Sequence, residues 1–254
     1  MIVLGIEVDD NLVGRWRSWL MPQTQPFVVP RDLADERKWT DGAEMLSFEM
    51  LDAFELYTVL PTHTIVWLER SQARSLPENI RRAQPTPHRW PTANPARDAQ
   101  QAVRYVEYGR RPSRHGKVSE EDWESVEGLL PGAKALAGTF PSHSGPNCFG
   151  TVMGAAGVID AGDEWMQPEP FEHWLKTHTH PGGDDNNAGT ILVWRNTAGQ
   201  PTHAAVTLGS GWLLHKPSQG WMSPTKVLTV QEGKYSARQR GRTLSRHRFL
   251  GAAS

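Results

Sequence analysis

Three residues have the types and spacing for nucleophilic chemistry: Cys148, His203 and His215. Cys148 is the only cysteine in the chain. It follows a turn-rich stretch, Ser144-Gly145-Pro146-Asn147, and opens Phe149 to Val158, a run of small and apolar residues that reads as a short helix. A thiol at a helix N-terminus lies at the positive end of the macrodipole, which favours the thiolate. A thiolate near an imidazole, with a second polar group behind that imidazole, is the arrangement acyl transfer requires. The plain alternative is that a lone cysteine is a small buried hydrophobe.

The element that would hold the two imidazoles is the stretch from Thr202 to His215. Ala204, Val206 and Leu208 alternate with Ala205 and Thr207, the period of a half-buried strand. Gly209-Ser210-Gly211 supplies residues that tolerate positive φ in a tight turn. Trp212, Leu213 and Leu214 begin a return strand that His215 ends. The reading is a β-hairpin with both histidines near its open end, on adjacent strands.

These residues resemble the NlpC/P60 family of papain-like cysteine peptidases and amidases. The family's Asp-Cys-Ser-Gly is matched by Asn147-Cys148-Phe149-Gly150, and its Gly-Asp-Leu-Val-Phe strand by Gly189-Thr190-Ile191-Leu192-Val193-Trp194. The segment His203 to His215, with Leu208-Gly209-Ser210-Gly211, is similar to the family's histidine hairpin. Arg248-Phe249-Leu250-Gly251-Ala252 is similar to its closing strand. The resemblance covers residues 140–252. The chain departs from the pattern at Asn147 and Phe149, and the tyrosine usual upstream of the cysteine is not evident. The resemblance implies Cys148 as nucleophile, His203 as general base and His215 as the group that orients His203. It also implies a backbone oxyanion donor at Cys148. His143 and Asn147, beside the nucleophile, are candidate oxyanion or substrate-binding groups.

Composition narrows the setting. The formal net charge of −1 gives no general attraction to nucleic acid or to a membrane surface. The 11 tryptophans are read as core and interface packing. With one cysteine, no disulfide forms within a chain, so a reducing compartment is compatible. The stretch Met1 to Asp10 is apolar but lacks a basic leader and soon meets acids. It reads as a strand, not a signal peptide, and implies a cytoplasmic setting. No run reaches transmembrane length.

Along the chain, strands are expected at Ile2–Val8, Phe54–Leu60 and Thr64–Leu68, with Glu44–Leu51 open between helix and strand. A short helix is expected over Ser75–Ala83, capped by Ser75 with Glu78 in the capping box. Pro85, Pro87, Pro91 and Pro95 mark a linker or an extended surface arm. Helices are expected over Asp98–Tyr108 and, capped by Ser119, from there to Leu130. The basic run Arg110 to Lys117 reads as a solvated loop. Pro170–Lys176 reads as one or two helical turns. The loop Thr177 to Asn187 reads as a mobile polar rim. His178, His180, Asp184 and Asp185 are metal-ligand types, but their spacing matches no recognised zinc pattern, so no metal or cofactor is expected. Asp184 and Asp185 are instead expected to attract a cationic acceptor or substrate amine. Lys234 to Arg248 holds six basic residues and no acid, and reads as charged edge strands.

The fold class is α+β: a papain-like core, with a nucleophile helix packed on an antiparallel sheet, and an N-terminal α+β extension. The expected division is 1–95, ending in the Pro-rich linker, and 96–254, the catalytic part. The expected function is a cysteine hydrolase acting on an amide or peptide bond of a peptide-like substrate. One alternative is an acyltransferase that passes the same thioester to an amine. Another is an inert binding module.

Overall fold

The computed structural model describes residues 1–251. Expected features at Ala252 lie outside the described residues. The chain is a mixed α+β protein with antiparallel sheets, and it divides into two compact units. One holds Met1 and Val8–Tyr108. The other holds Ile2–Glu7 and the chain from Gly109 onward.

The chain opens with two short paired strands, β1 (Ile2–Val3) and β2 (Ile6–Glu7), where one strand was expected. Leu4 and Gly5 turn between them at positive φ. The N–H of Ser113 donates to Leu4 O at 2.7 Å, so this hairpin belongs with the second unit.

In the first unit, α1 (Asp10–Leu20) begins at Asp9, whose side chain accepts from Leu12 N. Val13, Trp16 and Leu20 line its buried face at helical spacing, a signal the sequence-based reading passes over. β3 (Thr24–Pro30) pairs antiparallel with β4 (His63–Glu69). Between them lie α2 (Arg31–Glu36) and α3 (Phe48–Phe54). The strand expected over Phe54–Leu60 is not there: Phe54 ends α3 and Glu55 turns the chain left-handed at φ 53°. α4 (Arg70–Arg74) and α5 (Glu78–Arg82) replace the single helix expected over Ser75–Ala83. Ser75 terminates α4, donating to Gln72 O, and Pro77 precedes α5.

The Pro-rich segment is not a linker. His88 stacks on Phe27 with ring centroids 3.7 Å apart and bonds Pro26 O, and Gln25 Nε2 donates to Arg89 O at 2.6 Å. It therefore packs along β3. The next helix, α6 (Pro95–Glu107), is capped by Asn94 and packs on α1. The division falls at 108/109, not at 95/96, because that helix buries its Ala102 and Val106 face in the first unit.

The second unit begins its helices with α7 (Glu120–Glu127), capped by Ser119 as expected, and α8 (Ala133–Leu136). Then come α9 (Cys148–Ala155) and α10 (Pro168–His178), the latter longer than its expected turns. A six-stranded antiparallel sheet follows: β5 (Thr179–Pro181), β6 (Thr190–Arg195), β7 (Pro201–Gly209), β8 (Trp212–His215), β9 (Lys226–Thr229) and β10 (Thr243–Phe249). The spatial order is β5-β10-β6-β7-β8-β9. α11 (Val230–Ala237) lies between β9 and β10 in sequence and takes up part of the basic run expected to be strand.

The sheet has an apolar cluster on each face. Ile191, Val193, Ala204, Val206, Leu208, Leu214 and Val227 pack with Phe149, Val152 and Met153 of α9. Leu192, Trp194, Ala205 and Leu213 pack with Val230 and Ala237 of α11. β6, β7 and β8 thus alternate between the two clusters.

Candidate functional site

α9 forms where it does because Asn147 ends the preceding turn. Its Oδ1 accepts from the N–H groups of Phe149 (3.1 Å) and Gly150 (3.0 Å), and its Nδ2 donates to Met166 O at 2.7 Å. Asn147, expected as an oxyanion or substrate ligand, is placed here as a helix cap, its Oδ1 taken by two N–H groups. Gly150 lets the helix approach its neighbour: a Cβ there would stand 2.2 Å from Ala161 O.

Cys148 is the first helical residue, as expected, but it is buried in the apolar cluster. Burial pushes its thiol up to about 11, against the N–H groups of Ala204, Phe149 and Cys148 and the charge of Lys216, which favour the thiolate. Desolvation outweighs the helix N-terminus.

β7 and β8 form the expected hairpin, with Ser210 and Gly211 both at positive φ in its turn. The hairpin brings the two histidines together: His203 Nε2 and His215 Nε2 are 2.9 Å apart, in hydrogen-bond contact. Both rings are buried, at 6% and 1% exposure. His203 also lies against Trp194, its neighbour across the β6–β7 pair. Burial pushes His203 down to about 4, aided by Arg242. His215 is driven well below the ordinary imidazole range, first by burial and then by His203, Lys226 and Lys216. Its Nδ1 is buried with no partner.

The structure does not join the thiol to the imidazoles by a hydrogen bond. The alternation of β7 is the reason. Ala204 faces α9, and its N–H is the group beside the sulfur, whereas His203 lies with Trp194 and Ala205 toward the other face. One peptide unit of β7 separates the two functional groups.

The remaining candidates do not converge on the thiol. His143 is exposed and pairs with Ser142 Oγ at 2.9 Å. Asp185 is engaged by Arg246 and Lys234, which hold its carboxyl below the usual range. Asp184 caps its own turn through Asn186 N, while its backbone exchanges two hydrogen bonds with Thr190 Oγ1. The Thr177–Asn187 segment is therefore tied down, not a free rim. Its start is the end of α10, and β5 pairs with β10. Among the described residues, no group of three or more His, Cys, Asp or Glu side chains is placed to hold a metal ion. Among the described residues, no helix is long and apolar enough to cross a membrane.

Two residues of the site escape sequence reasoning: Lys216 and Lys226, both buried. Lys216 Nζ donates to Ser218 O (3.1 Å) and Ser223 O (2.6 Å), closing the loop after β8. That loop in turn steadies the approach to Cys148, because Ser144 Oγ accepts from Trp221 N and Gly145 N donates to Gln219 O. A lysine next to a strand reads as solvated, and no periodicity marks it as buried.

A cleft of about 670 Å³ opens between α10 and the β6–β7 turn. Its wall includes Pro168, two residues beyond the carbonyl held by Asn147, and Thr202, the residue before His203. The Glu172–Arg195 ion pair crosses it. No family model, curated protein or solved structure matches this chain.

Proposed function

We propose that the second unit is a papain-like cysteine hydrolase of the NlpC/P60 type, acting on an amide or peptide bond. The observation that carries this reading is the buried His203–His215 hydrogen bond on a rigid hairpin, one peptide unit from a thiol at a helix start. The resting site is a neutral thiol beside a neutral imidazole pair, not a preformed ion pair, because burial disfavours both charges. His203 Nε2–H donates to His215 Nε2, which leaves Nδ1 of His203 as the base. A shift of β7 at the Ala204 peptide in the substrate complex closes the gap between Nδ1 and the sulfur; such contacts often tighten only there. The S–H bond then breaks, its proton passes to His203, and sulfur bonds to the carbonyl carbon. The backbone N–H of Cys148 holds the oxyanion, since those of Phe149 and Gly150 are taken by Asn147. The C–N bond breaks as His203 returns the proton to the leaving amine. Water, or an amine in the transferase variant of this chemistry, takes the acyl group and restores the thiol. The cleft beside Thr202 is where the acyl chain lies.

A second reading, an inert module that uses the same fold for recognition, is favoured by one observation: a thiol pushed up to about 11 that bonds neither imidazole. Alkylation of Cys148 by iodoacetamide across pH 6–9 separates the two. With His203 as base, the rate is nearly flat over this range and falls in His203→Ala. An inert thiol reacts only through its thiolate, about one part in 10⁴ at pH 7, so its rate rises roughly tenfold per pH unit and ignores His203.

A further inference from the structure

Lysine is almost never fully buried without a partner that repays its desolvation. Two lysines are buried around His215, at 1% exposure for Lys216 and 3% for Lys226. Lys216 follows His215 in the chain. Lys226 is paired directly opposite His215 across β8 and β9, so their side chains leave the same face. Main-chain carbonyls fix both ammonium groups: Ser218 O and Ser223 O for Lys216, Arg111 O at 2.7 Å for Lys226. No carboxylate forms an ion pair with Lys226 among the described residues. Glu232 on α11 is engaged by Arg114 and Arg111. The other charged or titratable groups acting here are His203 on β7, Arg242, which bears on His203, Arg110, which bears on Lys226, and the Cys148 thiol, which Lys216 faces.

We infer that Lys216 and Lys226 are positioning residues that keep the His203–His215 pair uncharged, so that the pair meets its substrate with room for one proton, on His203. Two fixed cations in a poorly solvated site oppose a third far more strongly than they would in water. A charged His215 would carry a hydrogen on both ring nitrogens, so its Nε2 could no longer accept from His203 Nε2–H and two donors would face each other. The Lys226 ammonium, held at about 8 by burial, is charged throughout the range in which imidazoles titrate. With His215 unable to take the proton, the hydrogen bond between the rings directs it to the outer partner. The inference deepens the hydrolase reading, yet the charge state of the pair is measurable without any substrate.

The test is an NMR titration of the imidazole resonances of the full chain from about pH 8 to pH 3.5, where an unperturbed histidine titrates near 6.5. In the wild type, neither ring gains a proton above about pH 5. In Lys226→Met the first proton uptake moves up by at least about one pH unit, and Lys216→Met moves it in the same direction. Lys226→Arg keeps the wild-type curve. A wild-type pair already charged at pH 6 overturns the inference, whatever the variants do. So does a folded Lys226→Met protein that titrates like the wild type. An unreactive Cys148 would remove the hydrolase reading while leaving this titration intact, so the two failures are distinguishable.

Discussion

The two faces of the six-stranded sheet solve opposite problems with the same strands. The face under α9 is apolar: Cys148, Phe149 and Val152 meet Ala204, Val206 and Leu214, with backbone N–H groups and the charge of Lys216 acting on the sulfur. The other face has a smaller apolar cluster, and beside it His203, His215 and Lys226 are buried with specific partners. The comparison teaches how burial sets the protonation of each group. On the first face, burial keeps the thiol protonated. On the second, burial and nearby cations keep the imidazoles unprotonated. Neither group is activated alone; in the proposed mechanism a proton transfer between them activates both.

The largest effect expected is on the face under α9. Cys148→Ala should lower turnover at least about 10³-fold while leaving the melting temperature nearly unchanged. Turnover and thermal unfolding, measured on one preparation, check this. Retained turnover would end the cysteine mechanism. The imidazole face comes next. His203→Ala should cost nearly as much as loss of the thiol, because the two act as one unit. His215→Ala should cost less, since it orients without transferring a proton. If His215→Ala is the more severe, the assigned roles must be exchanged.

A smaller effect separates capping from chemistry. Asn147→Ala removes two hydrogen bonds to the first turn of α9 and should cost about 1 kcal/mol of stability by denaturant titration. A stability loss confined to well under that value would mean that the turn holds α9 without its cap.

The smallest effect lies away from both faces. Asp185→Asn should cost about 0.5 kcal/mol at pH 7, the range for a partly exposed ion-pair network. The Asp185 carboxyl is held below its ordinary value, first by Arg246 and then by Lys234. Its contribution is therefore present above the unfolded value near 4 and is lost as pH falls through the folded one. The difference between wild type and variant should shrink accordingly in urea titrations at pH 7 and pH 3. A difference that persists at pH 3 would place its origin outside the carboxylate.

The hairpin, the start of α9 at Cys148, the strand through Ile191 and the Ser119 cap were all legible in the chain, because local chemistry decides them. Alternation, positive-φ turn residues and capping side chains act within a few residues. Even the meeting of His203 and His215 followed from the hairpin. Other features depended on neighbours far along the chain. Asp185 reads as a free acid until β10 brings Arg246 to it. The Pro-rich segment reads as a linker until His88 finds Phe27. Phe54–Leu60 reads as strand, but its chain turns at Glu55 after a helix. The face from which each side chain leaves β7, and the burial that pushes Cys148 up and His203 down, were set by packing alone. Period-2 alternation tells which residues share a face but not which helix will cover it, and a lysine carries no mark of the depth at which its ammonium will rest. The sequence determined which groups could do chemistry; only the tertiary structure decided how far each one stands from water and from the others, and that distance sets their protonation.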